Sequence, residues 1–115
     1  MSQARDRRRF VRFPAELAVL VHKLGPEESE NLAKTKVLGL GGCLFVHPGP
    51  LGLEETVELL LSAKGRVLRA KARVAYEQQR DDGRYDIGVE FLSMADGDLE
   101  QLRAFLAEAS QDTSD

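Results

Sequence analysis

The sequence of 115 residues predicts an all-β domain, a small antiparallel barrel with one helix at its C-terminus. Short apolar segments recur at regular spacing, and residues typical of tight turns separate them. The last segment alone changes to the three- and four-residue period of an amphipathic helix. The length suits one domain with one core, and 43% hydrophobic with 30% charged residues is a globular composition. Together these observations exclude a disordered or a fibrous chain.

The first half of the chain predicts three strands. Residues 17–23, LAVLVHK, are aliphatic or β-branched on both faces and predict a largely buried strand, followed by a turn at 24–31. Two short apolar runs, 35–38 and 44–46, then flank a glycine cluster. A Pro-Gly-Pro sequence closes the second run. The simplest interpretation is two strands joined by a tight bend.

The second half predicts a hairpin and one further strand. Residues 56–62 and 66–79 are separated by three residues, Ala-Lys-Gly, a spacing typical of a hairpin. Alternation along 66–79 predicts an inward face and an outward ladder of three bases. The inward residues are Leu68, Ala70, Ala72, Val74 and Tyr76, and the ladder is Arg69, Lys71 and Arg73. After an Asp-Asp-Gly turn, Tyr85, Ile87, Val89 and Phe91 face inward from the last strand.

The helix is predicted from the apolar residues Leu99, Leu102, Phe105 and Leu106, with Ser93 or Asp96 as its cap. Acidic residues in its first turn are favoured by the helix dipole. The resulting organisation is a flexible basic arm at 1–13, the barrel with its helix at 14–109, and a disordered tail at 110–115.

Several classes of function are disfavoured by composition. A single cysteine, Cys43, excludes an internal disulfide and a cysteine-based zinc site, and His22 and His47 do not have the spacing of metal ligands. We find no nucleophile beside a base and no phosphate-binding Gly-Lys loop, so we expect no enzyme. We also find no apolar run of bilayer length and no signal-like N-terminus. These features predict a cytoplasmic protein without cofactor, metal or membrane insertion.

The charge is strongly polarised along the chain. Residues 1–13 carry five arginines and one aspartate, a net +4, whereas residues 96–115 carry a net −5 and the whole chain −3. Closely spaced arginines suit phosphate contacts and base stacking. A nucleic acid polymer normally requires a broad basic surface, which an acidic protein with pI about 5.4 lacks. The run therefore indicates a compact anionic ligand or a solvated basic terminus.

Several motifs resemble those of PilZ domains, in the same order. RRFVRFP (8–14) resembles the opening Arg-x-x-x-Arg motif, and GLGGCLFV (39–46), GRYDIGVEFLSM (83–94) and the final LRAFL (102–106) resemble the later segments. The resemblance extends from about residue 5 to residue 106. It implies a six-stranded antiparallel barrel that binds the bacterial second messenger cyclic di-GMP.

The resemblance also implies which residues bind the ligand. Arg8 and Arg12 would clamp the nucleotide, with Arg9 in support, against the barrel near Gly41 and Gly42. The second family motif, Asp/Asn-x-Ser-x-x-Gly, is degenerate here. Anchored on Gly42, its acidic or amide position falls on Val37 and its serine on Gly39. Thr35 is the nearest polar side chain that a shifted alignment could use.

Two functions follow from this resemblance. In the first, the chain is a stand-alone signalling adaptor that binds cyclic di-GMP through its arginines, weakly if two polar contacts are missing, and relays the signal to a protein partner. In the second, the chain is a degenerate module that binds no nucleotide and acts by protein contacts in motility or pilus regulation. Neither function involves catalysis.

Overall fold

A computed structural model describes residues 12–25 and 28–113. Seven strands and one helix lie within these residues. They are β1 (Arg12–Pro14), β2 (Ala18–Lys23), β3 (Ser29–Gly39), β4 (Gly42–His47), β5 (Thr56–Ala63), β6 (Arg66–Gln79), β7 (Tyr85–Met94) and α1 (Asp96–Thr113). Neighbouring strands are antiparallel, in the order β3, β2, β5, β6, β7, β4 and back to β3.

The six strands thus form a closed barrel, and β1 adds a short seventh strand to β3. Because the barrel is closed, each of its six strands is paired on both sides over at least part of its length. The predicted barrel with one terminal helix is confirmed, and β1 is an addition to it. Three residues ending in a proline are too few to show a strand periodicity, which is why the sequence did not predict β1.

Strict alternation along the strands builds the core. Inward residues such as Val19, Val21, Phe45 and Leu59 are essentially inaccessible to solvent. The predicted hairpin between β5 and β6 is also confirmed, because Ala63 pairs with Arg66 across a two-residue turn. Both turn residues have positive φ, 52° at Lys64 and 79° at Gly65, as the tightest hairpin turns require.

Two element boundaries differ from the sequence prediction. β3 begins at Ser29, where a turn was predicted, and Ser29 pairs with Lys23. The first residues of β3 are polar, so they do not show the apolar alternation from which a strand is predicted. The helix continues to Thr113, past the domain boundary predicted at residue 109. The predicted cap Ser93 belongs to β7, and the helix begins at Asp96.

A β-bulge in β6 reverses one predicted orientation. Val74 pairs with Val89 and Tyr76 with Gly88, so one extra residue lies between them on β6. Tyr76 is consequently 47% exposed instead of inward. Glu77 instead accepts hydrogen bonds from the backbone N–H groups of Leu51 (2.5 Å) and Gly52 (2.8 Å). These bonds hold the 48–55 loop over one end of the barrel, where Leu51 is buried.

The helix packs at the opposite end. Leu102 and Leu106 are buried in the core cluster, as the helical periodicity predicts. At the start of the helix, Asp98 accepts a hydrogen bond from the backbone N–H of Arg69, 3.2 Å away. An ion pair between Lys64 and Glu108 ties a later turn of the helix to the β5–β6 hairpin. The bend between β3 and β4 lies at this same end of the barrel.

Candidate ligand site beside β1 and β3

The register of β1 on β3 brings together the two motifs that the sequence analysis singled out. Arg12 pairs with Gly39, and Pro14 pairs with Val37. Leu38, between the two β3 residues, is fully buried in the core, so by alternation Val37 and Gly39 belong to the opposite face of the strand, where Val37 is half-buried and Gly39 is buried. Arg8 and Arg9 lie outside the described residues. The second motif arginine is therefore paired with one degenerate position, Gly39, and lies two residues along β1 from Pro14, the partner of the other, Val37.

A buried threonine fixes this register. The Thr35 hydroxyl accepts a hydrogen bond from the Leu17 backbone N–H (2.9 Å) and donates one to the Ala15 carbonyl (2.6 Å). Ala15 also donates from its backbone N–H to the carbonyl of Lys36 (3.2 Å). The three residues between β1 and β2 interrupt the ladder, and Thr35 satisfies two of the backbone groups exposed by that break. Its hydroxyl is thus engaged in the fold and is not a replacement ligand.

We expect Thr35→Val to lower the free energy of unfolding by about 2 kcal/mol, because the change keeps the shape but leaves two buried backbone groups without partners. Urea denaturation followed by circular dichroism measures the loss. Thr56→Val, on the outer face of β5, is the matched control and should change stability by less than about 0.5 kcal/mol. An equal effect of both changes would contradict the role given to Thr35.

The glycine pair serves the contact between β4 and β7. A Cβ atom on Gly42 would lie 2.0 Å from the carbonyl oxygen of Val89, a distance that no side chain tolerates. The Gly41 carbonyl accepts a hydrogen bond from the Phe91 N–H (2.8 Å). This geometry supports the structural interpretation of Gly42, in which the missing side chain permits close approach of two strands. Ligand contact by Gly41 and Gly42 stays a prediction.

The outward ladder of bases is partly neutralised by carboxylates. The Arg73 guanidinium binds Glu90 and Glu54, the latter at 2.8 Å, and these hydrogen bonds, that of Glu90 first, raise the pKa of Arg73. Arg69 lies 3.9 Å from Glu58. Because Arg73 already has two anionic partners, it is a poor candidate for an additional phosphate ligand.

Comparison with known proteins establishes the family. The family model described as PilZ domain matches residues 6–108. The chain belongs to the PilZ family. No curated protein sequence matches this PilZ chain.

Solved structures agree with this assignment at the level of the fold. The inhibitor of motility MotI/DgrA of Bacillus subtilis has a TM-score of 0.77 at 20% identity, covering 91% of this chain and 52% of that one. YcgR of Escherichia coli in complex with c-di-GMP has a TM-score of 0.74 at 16% identity, covering 94% and 48%. The PilZ domain of YcgR with c-di-GMP has a TM-score of 0.69 at 17% identity, covering 94% and 98%. This PilZ chain thus spans about half the length of the first two proteins.

The remaining candidate residues of the PilZ domain, Cys43, His22 and His47, have contacts typical of structural residues. Cys43 is buried, and burial raises the pKa of its thiol to about 12, so it is not a thiolate at neutral pH. His22 lies 2.7 Å from Glu28 in an exposed pair. His47, predicted in a loop, is instead the buried last residue of β4, and its Nδ1 lies 2.7 Å from the Gly49 carbonyl.

Among residues 12–25 and 28–113, no three metal-ligating side chains are grouped as a metal ion requires. None of the helices in these segments combines the length and apolarity needed to span a bilayer.

Proposed function

We propose that this PilZ domain binds cyclic di-GMP on the outer surface beside β1 and β3, with Arg8, Arg9 and Arg12 as its cationic ligands. The observation that carries the proposal is the pairing of Arg12 with Gly39. A motif made of two distant sequence segments can bind one ligand only if the fold brings them together, and β1 does so. The complexes of YcgR with c-di-GMP are consistent with this ligand chemistry on the same fold.

The chemistry of the ligand matches the chemistry of the arm. Cyclic di-GMP carries two phosphates and two guanines, and an arginine can pair with a phosphate through two parallel hydrogen bonds or stack on a base. The arginines supply positive charge at one place on a protein whose net charge is −3. Local charge of this kind favours a small dianion over a polymer.

Binding of cyclic di-GMP also provides a way to signal to a protein partner. The ligand stabilises the state in which the arm folds over it, and this shifts the population of arm conformations. A partner that contacts the arm or the adjacent barrel surface then senses the ligand. We propose motility regulation as the setting, because MotI is named an inhibitor of motility.

Two features make the proposed affinity lower than that of a site with a complete second motif. Val37 cannot accept a hydrogen bond from a guanine edge, and Gly39 has no hydroxyl. Thr35, four residues before Gly39, is fully buried and has its hydroxyl engaged with Ala15 and Leu17. The arginines therefore provide most of the ligand contacts in this proposal.

Calorimetric titration of the chain with cyclic di-GMP tests the proposal. We expect Arg8→Ala and Arg12→Ala each to weaken binding by about 10-fold or more, because each removes charged hydrogen bonds worth about 1.5–3 kcal/mol. Arg84→Ala, in the turn before β7 at the opposite end of the barrel, is the matched control and should leave affinity unchanged. Cyclic di-AMP, with the same charge and no guanine, should bind more weakly.

Absence of heat at tens of micromolar protein would contradict nucleotide binding and would favour the degenerate module that acts by protein contacts alone. Binding that survives both arginine changes would show that the site lies elsewhere on the barrel. The two results therefore separate a wrong ligand from a wrong site.

A further inference from the structure

Three leucines stand side by side on the outer surface of the barrel. Leu32 of β3 pairs with Leu20 of β2, which pairs on its other side with Leu60 of β5. Leu32 is 74% exposed, and the other two are half-buried. None of the three belongs to the core cluster or to the partly buried residues packed against it. We call these residues the leucine row.

Other small or apolar residues extend the leucine row toward the helix end of the barrel. Ala18 precedes Leu20 by two residues on the same face and is exposed. Val67 of β6, which is 63% exposed, pairs with Ser62, two residues after Leu60. These leucines lie outside the core cluster, and contiguous exposed apolar side chains on a barrel exterior are typical of a contact surface.

Opposite charges flank the leucine row along β3. Glu30 and Lys34 are both exposed and lie two residues to either side of Leu32 on the same face of the strand. The leucine row crosses the strands. A second copy, generated by rotating the chain by 180° about an axis along the row, therefore presents its Lys34 opposite Glu30 and its Glu30 opposite Lys34. The surface is therefore complementary in charge to a copy of itself.

We propose that the leucine row is the contact between two copies of this chain in a symmetric dimer, with the two-fold axis along the row. Leu32, the most exposed of the three, then packs on its own counterpart at the centre of the contact, with Leu20 beside it, so apolar surface meets apolar surface. Glu30 faces the partner subunit's Lys34, and Lys34 faces the partner subunit's Glu30. The symmetry gives two ion pairs from one pair of residues, flanking an apolar centre as in protein interfaces generally.

The dimer is compatible with the proposed ligand site but does not depend on it. Val37 and Gly39 lie beyond Lys34, at the end of β3 that pairs with β1. Within the described strands β4 pairs with β3 at residues 35–38 and not beside Leu32, and the proposed contact uses the convex outer face of β3. A contact of this kind is small, and we expect a weak dimer with a dissociation constant in about the 10–500 µM range.

Sedimentation equilibrium of the chain from about 1 µM to about 1 mM, a range that brackets such a constant, tests the proposal. Leu32→Asp should raise the dissociation constant by about 10-fold or more, because it places two carboxylates at the centre of the contact. The side chain is largely exposed, so the change should leave the fold intact, which circular dichroism verifies.

A charge exchange tests the symmetry directly. Lys34→Glu turns both ion pairs into repulsive contacts and should raise the dissociation constant by about 10-fold, whereas the double change Glu30→Lys with Lys34→Glu should restore it to within about threefold. Lys71→Glu is the matched control, because Lys71 is an equally exposed lysine on β6, three strands from β3 around the closed barrel, and lies outside the proposed contact. It should alter the constant by less than about twofold.

Three outcomes would overturn the proposal. The chain could stay monomeric throughout the concentration range, in which case the row is bare or binds a different protein. Leu32→Asp could leave the dimer unchanged, which would place the contact elsewhere. The double charge exchange could fail to restore the dimer while Lys71→Glu weakens it, which would place the contact on the β6 side of the barrel.

Discussion

The double change Val37→Asp with Gly39→Ser is expected to tighten cyclic di-GMP binding by about 5- to 150-fold. The change restores two hydrogen bonds, taken as about 0.5–1.5 kcal/mol each, at positions that lie opposite Pro14 and Arg12 in the sheet. Both positions are on the face of β3 opposite to the core residue Leu38, where Val37 is half-buried and Gly39 is buried. Calorimetric titration of the double variant beside the wild type measures the gain.

A control variant distinguishes a restored contact from added charge alone. Val67→Asp places a new carboxylate on the exposed face of β6, away from β1, and should leave the affinity unchanged. Tight binding of cyclic di-GMP by the wild type itself would contradict the view that the second motif is eroded. Failure of the double variant to bind more tightly, with its thermal unfolding unchanged, would contradict the proposed location of the ligand on β3.

Gly42→Ala is expected to reduce the free energy of unfolding by about 3 kcal/mol and the Tm by on the order of 15 °C. The added Cβ would meet the Val89 carbonyl oxygen at 2.0 Å. Because the obstacle is backbone in a paired strand, β4 and β7 must separate to admit the methyl group, which weakens their hydrogen bonds. Thermal and urea denaturation measure the loss.

Gly97→Ala is the matched control for this change. Gly97 lies in the first turn of α1, and a Cβ atom there would meet no neighbouring atom within 4 Å. Alanine is a better helix residue than glycine, so stability should stay constant or rise by up to about 1 kcal/mol. A loss at Gly42 of less than about 0.5 kcal/mol would contradict close approach as the reason for a glycine there.

The sequence predicted the strands of the barrel wall well where one face is apolar. Residues 56–62 and 66–79 alternate clearly because one side faces the core, and β5 and β6 correspond to them closely. Alternation fails at the bulge, where a single extra residue turns Tyr76 outward and lets Glu77 hold the 48–55 loop. A bulge depends on the partner strand, which periodicity along one strand does not reveal.

The sequence motifs predicted the residues of the candidate ligand site, and the strand order and register bring these residues together. The spacing of Arg8 and Arg12 and the erosion at Val37 and Gly39 are evident in the sequence. Their proximity is not, because β1 is too short to predict and its register depends on Thr35, a residue without an evident signal in the sequence.

The sequence by itself determined the fold class, the family resemblance and the chemistry offered to a ligand, because these depend on residue type and local period. The tertiary structure alone decided which residues are neighbours across strands. It paired Arg12 with Gly39 and aligned Leu32 with Leu20. Strand register is set by bulges, turns and buried hydrogen bonds between distant segments, and the contacts it creates cannot be deduced from either segment alone.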